Sequence, residues 1–121
     1  MKYFLNIPKE KILGDNEHFI LIKDVYPVSP GHLLIISKHL RKDFFSLTDP
    51  EKKSLTDAID IAKQKIELEY NPDGYNIGMN CGDSAGQTIF HFHCHVIPRY
   101  NGDMEDPRGG IRHCIEGKGY Y

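Results

Sequence analysis

Three histidines alternate with apolar residues in the run Phe90-His91-Phe92-His93-Cys94-His95-Val96-Ile97-Pro98-Arg99. On a strand, a period of two places His91, His93 and His95 on one face and turns Phe92, Cys94 and Val96 into a core. Pro98 has no N–H for a ladder, so it should end the strand or lie on an edge. Imidazoles bind metals, attack as nucleophiles and exchange protons near neutral pH. Strand residues two apart sit roughly 6.6 Å apart, and those four apart roughly 13 Å. An ion with bonds of about 2 Å spans two such histidines comfortably and hardly three. It would need further ligands, and no pair of cysteines is spaced to supply them. Histidines that merely face solvent are a third reading. Spacing alone leaves metal binding and nucleophilic catalysis open.

The residues upstream favour phosphorus chemistry. Asn80-Cys81-Gly82-Asp83-Ser84-Ala85-Gly86-Gln87-Thr88 is a small, polar, glycine-rich connection running into the histidines. Glycines let backbone amides approach an anion, and Ser84 and Thr88 add hydroxyl donors. A plain hairpin loop has the same composition.

A handful of elements must hold this stretch. Ile12-Leu13 and Phe19-Ile20-Leu21-Ile22 read as short strands flanking a turn at Gly14-Asp15-Asn16. Gly31-His32-Leu33-Leu34-Ile35-Ile36-Ser37-Lys38 is almost continuously apolar, as suits a central strand covered on both faces. Lys38, His39, Arg41 and Lys42 form a basic cluster of the kind found on solvated surfaces. Thr48 and Glu51 form a capping-box pattern with Pro50 in the first turn. Leu55, Ile59, Ala62 and Ile66 then mark the buried stripe of a helix reaching about Tyr70. Asn71-Pro72-Asp73-Gly74 is a turn, and Tyr75 to Asn80 returns as a strand antiparallel to the histidines. Few strands, one long helix and hairpin loops predict a small α+β domain with an antiparallel sheet. The segment from Tyr100 to His113 is rich in turn residues.

Composition narrows the partners. The 121 residues suit a single domain, 1–121, with a core of its own. A formal net charge of −2 gives no reason to expect nucleic acid or an anionic membrane. No apolar run approaches the ~20 residues of a membrane span, and Met1-Lys2-Tyr3 opens no signal-peptide core. Cys81, Cys94 and Cys114 form no CxxC pair, so reduced thiols in a cytosol, and hence a cytoplasmic protein, are expected.

Asn80 to Arg99, with its His-φ-His-φ-His-φ-φ core, resembles the signature of the histidine triad (HIT) family of nucleotide hydrolases and transferases. Pro27-Val28-Ser29-Pro30-Gly31-His32-Leu33-Leu34-Ile35-Ile36-Ser37-Lys38 matches a second block of that family. The resemblance implies the HIT fold, a five-stranded antiparallel sheet with one long helix and a short helix. It also implies a homodimer joined through the long helix and an edge strand. In that scheme His93 attacks the α-phosphorus, and the backbone carbonyl of His91 holds its other nitrogen. His95 binds phosphate and protonates the leaving group, and His32 supports the site. Asp24 is placed to bind ribose, and Phe19 and Ile22 to wall the base. Gln87 and Thr88 would hold the phosphate and leaving group, with Asn80 and the amides near Gly86 completing the nucleotide site. Histidine rather than glutamine at position 95 favours a hydrolase over a nucleotidyl transferase. The tail Gly102-Asp103…Pro107-Arg108-Gly109-Gly110-Ile111-Arg112 resembles a bacterial-type subgroup of dinucleoside polyphosphate hydrolases, in which Arg108 and Arg112 could reach polyphosphate. A nucleoside phosphoramidase and a nucleotide-binding regulator with little turnover are the rival readings. No cofactor is required, although Mg²⁺ could accompany a polyphosphate. The N-terminal segment lacks the zinc-binding cysteines of some relatives, so no structural zinc is expected.

Overall fold

The histidine strand lies inside the sheet rather than at its edge. The computed structural model describes residues 4–121. Its strands are β1 (Gly14–Asp15), β2 (Phe19–Lys23), β3 (Leu33–Ser37), β4 (Gly74–Gly78) and β5 (His93–Arg99). They form one sheet in the order β1-β2-β3-β5-β4, every neighbouring pair antiparallel. Short 3₁₀ turns such as Phe44–Ser46 accompany the single long helix α1 (Asp49–Glu67). No helix among the described residues is long and apolar enough to cross a membrane.

Pairing register decides which side chains share a face. Ile22, Leu34, His95 and Gly78 form one rung, and Ile20, Ile36 and His93 the next. The opposite face carries Phe19, Leu21, Leu33, Ile35, Cys94 and Val96, which pack with Leu55, Ala58, Ala62 and Ile66 of α1. β3 is buried along its whole length, as its unbroken apolar run predicts. Pro98 is accommodated because β3 has already ended where it lies. β3 pairs with β5 only as far as Val96, and beyond that point the Ser29 hydroxyl donates to the Pro98 carbonyl at 2.6 Å.

Several boundaries differ from the sequence reading: α1 stops at Glu67, β4 spans Gly74–Gly78, and two further differences have a clear local cause. Gly14 and Asp15 belong to β1 rather than to the turn. The Asn16 side-chain oxygen accepts from the amides of His18 and Phe19, both at 3.0 Å, so the reversal follows Asn16. The second difference concerns the triad. β5 begins at His93, because the Phe92 amide donates to Arg41 O at 2.6 Å and draws the preceding residues out of the ladder.

α1 starts as its sequence requires. Thr48 accepts from the Glu51 amide, and the Glu51 carboxylate accepts from the Thr48 amide at 2.7 Å. Glu51 also accepts from Arg41 Nε at 2.9 Å, so Arg41 leaves the solvated basic cluster for a buried partner. Burial alone would raise the Glu51 pKa, but the bonds from Thr48 and Arg41 outweigh it and hold it below the ordinary glutamate value. Glu51→Gln should therefore cost about 1.5–3 kcal/mol at neutral pH, the range for hydrogen bonds to a charged group. Because the folded pKa is depressed, that stability is present above the unfolded pKa and disappears as pH falls through the folded one. Urea midpoints for both proteins at pH 7 and near pH 3 check this: the gap should close in acid, and a gap of equal size at both would refute it.

Candidate active site

Backbone groups set the protonation of each imidazole. His91 is buried; its Nε2 donates to Ser37 O at 2.8 Å and its Nδ1 accepts from the Phe4 amide at 3.1 Å. Both nitrogens are spent, so His91 bolts the end of β3 to the residues that enter β5. His93 Nδ1 donates to His91 O at 2.9 Å, which leaves the Nε2 lone pair free. The triad's first member thus orients the second through its carbonyl.

His95 is set by a longer chain. The Val28 amide donates to His32 Nδ1 at 3.2 Å, so neutral His32 carries its proton on Nε2. That N–H donates to His95 Nδ1 at 2.9 Å, and His95 must hold its own proton on Nε2. The two half-buried rings, 5.5 Å apart, therefore offer opposite chemistry: a lone pair on His93 and an N–H on His95. Burial, followed by His32 and His93, lowers the His95 pKa, with Asp24 opposing. Burial likewise lowers His32 and His91. A lowered histidine pKa means that the unfolded chain binds more protons, so these residues reduce stability as pH falls below about 6.5. Cys94, between the two rings in sequence, points into the core, where burial pushes its thiol up to about 12 and leaves it inert.

Asp24 meets this cluster. Its Oδ1 accepts from the Tyr26 amide at 2.8 Å, and its Oδ2 lies 3.3 Å from His32 Nε2 and 3.7 Å from His95 Nδ1. Two histidines and a carboxylate form the donor set of a divalent metal site. A metal on His32 Nε2 would need the ring proton on Nδ1, where the Val28 amide already donates. The residues do not fit a metal in this arrangement, and they do fit a proton relay.

Other expected site residues are placed unevenly. Ile22 lies on the histidine face, whereas Phe19 is buried on the opposite face against Phe92 and cannot wall a base there. The reason is parity: Phe19 is an odd number of residues from Ile22. Gln87 is buried and closes its own loop, accepting from Gly82 N at 2.8 Å and donating to Lys42 O at 2.6 Å. It positions the loop rather than reaching substrate. The Gly86 amide donates to Asp83 O within the 3₁₀ turn Asp83–Ala85, so it is not a free anion donor. Gly86 has φ +88°, which accounts for glycine there. Asn80, Ser84 and Gly86 line a cavity shared with His95, while Thr88 is exposed and does not line it. Sequence reasoning missed Ile111 and Ile115 on the far wall of this cavity. Two isoleucines four apart in a tail otherwise rich in glycine and charge were the available signal.

Residues 6–102 match the HIT domain family. The chain is 41% identical over 91 residues to an uncharacterised HIT-like protein of Mycoplasma genitalium, covering 73% of this chain and 62% of that protein. It is 33% identical over 109 residues to an AP-4-A phosphorylase of Mycobacterium tuberculosis, covering 83% and 54%. These matches thus span less than two thirds of either relative. A crystal structure of a HIT family protein from Bacillus anthracis superposes with a TM-score of 0.71 at 36% identity, covering 77% of this chain and 66% of that one. With its alternating histidines on an inner strand of a five-stranded antiparallel sheet, this chain belongs to the HIT family.

Proposed function

We propose that this protein hydrolyses a dinucleoside polyphosphate at its α-phosphorus through a nucleotidyl-histidine intermediate. One observation carries the reading: His93 offers a lone pair beside an N–H of His95, each tautomer set by the backbone through the bonds above. In the first half, His93 Nε2 forms a bond to the α-phosphorus while the bridging P–O bond breaks. His95 in its protonated form, with its second proton on Nδ1 facing Asp24 Oδ2, gives its Nε2 proton to the leaving oxygen and is left neutral with a free Nε2 lone pair. In the second half, water attacks the same phosphorus, His95 takes its proton, and the N–P bond breaks. Asp24 supports the charged form of His95, and its remaining lone pairs are available to ribose hydroxyls. Ile22 lies on the face where the base would sit. Any Mg²⁺ would be carried by the polyphosphate oxygens, and no step here depends on it.

The same reading includes a homodimer. β4 is an edge strand, and Ile77 on it is 42% exposed, as expected of a strand that continues into a partner's sheet. Light scattering at micromolar concentration should then give roughly twice the 13.9 kDa chain.

Rates measured side by side on diadenosine tetraphosphate and adenosine 5′-phosphoramidate test the substrate class. The dinucleotide should have the higher kcat/KM. A higher value for the phosphoramidate would replace that assignment with a phosphoramidase, and negligible turnover of both would leave a nucleotide-binding protein.

A further inference from the structure

The chain after β5 folds back on itself and then onto the histidine face. Tyr120 Oη donates to Asp106 O at 3.1 Å, and Arg112 Nη2 donates to Lys118 O at 3.1 Å. Arg108 stacks over the Tyr120 ring at 5.4 Å and Arg112 over Tyr121 at 5.1 Å. Gly109, at φ +93°, lies so close to Gly119 that any side chain would strike its carbonyl. Both arginines expected to reach polyphosphate therefore hold the tail together. This closed tail presents Ile111 and Ile115, which are 62% and 60% exposed, and neither joins the core.

Between those isoleucines and the sheet lies a cavity of about 790 Å³, within the usual range for small-molecule sites. Its floor includes His95 and Ile97, its near end is the Ser84–Gly86 turn, and its far wall is Ile111 with Ile115. Gly78 lies on the floor beneath Ile111, close enough that a Cβ there would rest in ordinary contact with Ile111 Cδ1. Asn76 also lines the space; its Oδ1 accepts from Arg99 Nη1 at 2.6 Å, which leaves its Nδ2 hydrogens for another acceptor.

We infer that this cavity is the leaving-group subsite, where Ile97, Ile111 and Ile115 receive the base of the second nucleoside. The inference rests on the hydrolase reading above. In-line displacement sets the leaving oxygen opposite the attacking nitrogen of His93. The next residues along β5 on the face of His93 are His95, the proton donor, and then Ile97. A leaving group that departs past His95 therefore enters a space walled by aliphatic side chains. Flat aliphatic walls suit a planar ring, whereas a bare phosphate gains nothing from them.

Calorimetry on the intact chain tests this without turnover, using adenosine monophosphate and methylene-bridged analogues of adenosine tetraphosphate and diadenosine tetraphosphate. The wild type should bind the dinucleoside analogue about tenfold tighter than the mononucleoside analogue, a difference set by apolar burial of one base. Ile111→Ser/Ile115→Ser should erase that preference and leave adenosine monophosphate affinity unchanged. Both side chains are largely exposed, so folding should survive, and Ile115→Ser alone should give a partial loss. Equal wild-type affinities for the two analogues would overturn the subsite, as would a preference untouched by the substitutions. An equal loss of adenosine monophosphate affinity would also overturn it, by making the tail a general support. If adenosine monophosphate fails to bind the wild type, the nucleotide reading itself falls.

Discussion

His93→Ala is expected to lower kcat by more than about 10⁴-fold, beyond the loss typical of a missing acid or base, because no other group can form the covalent intermediate. His95 cannot substitute for it. Its Nδ1 accepts from His32 and its Nε2 carries the proton, so no lone pair faces the substrate. Cys94 is buried on the other side of the sheet, with its thiol pushed up to about 12. Folding should be little affected, since the half-buried His93 ring gives up chiefly one bond to His91 O, worth about 1 kcal/mol. Quenching labelled substrate in alkali should trap a nucleotidyl adduct on the wild type and none on the variant, because the imidazole–phosphorus bond is labile in acid. Retention of more than about a hundredth of wild-type kcat would exclude His93 as the nucleophile, since a step through it could not then dominate.

For His95→Ala the expected loss is about 10²–10⁴-fold in kcat, the range for a general acid. Its leaving-group dependence should identify the role. A dinucleoside polyphosphate should suffer the full loss, and a p-nitrophenyl ester of adenosine monophosphate, whose leaving group needs no proton, much less. The pH profile follows from the site. In the free protein, burial and the neighbouring imidazoles lower the His95 pKa, so the acid form is lost as pH rises through that lowered value. Bound polyphosphate is anionic and raises it again. Wild-type kcat/KM should therefore fall on the alkaline side at a lower pH than kcat does. In the variant, this alkaline fall should vanish from both. Equal losses on both substrates, or an unchanged pH profile, would make His95 a phosphate-binding residue only.

The inner strands of the sheet, the helix and the chemical character of one face are legible from the chain alone. Those features rest on local rules: the period-two alternation of β5, the unbroken apolar run of β3 and the Thr48–Glu51 capping box each need only near neighbours. The shared face of His93 and His95 was legible for the same reason. Which histidines reach the cavity, and with which tautomer, depends on contacts between distant parts of the fold. His91 leaves the row because Arg41 O, distant in sequence, captures the Phe92 amide, and Ser37 O then takes the His91 ring. The His95 proton is set by the Val28 amide through His32, a path from the loop before β3 to β5 that no spacing records. Phe19 and Gln87 were absorbed into packing, since burial depends on which face the register selects and on which carbonyls lie within reach. Ile111 and Ile115 became a wall only when the tail closed over the sheet. Side-chain identity carries chemistry along the chain, but protonation and access come from groups brought together across it.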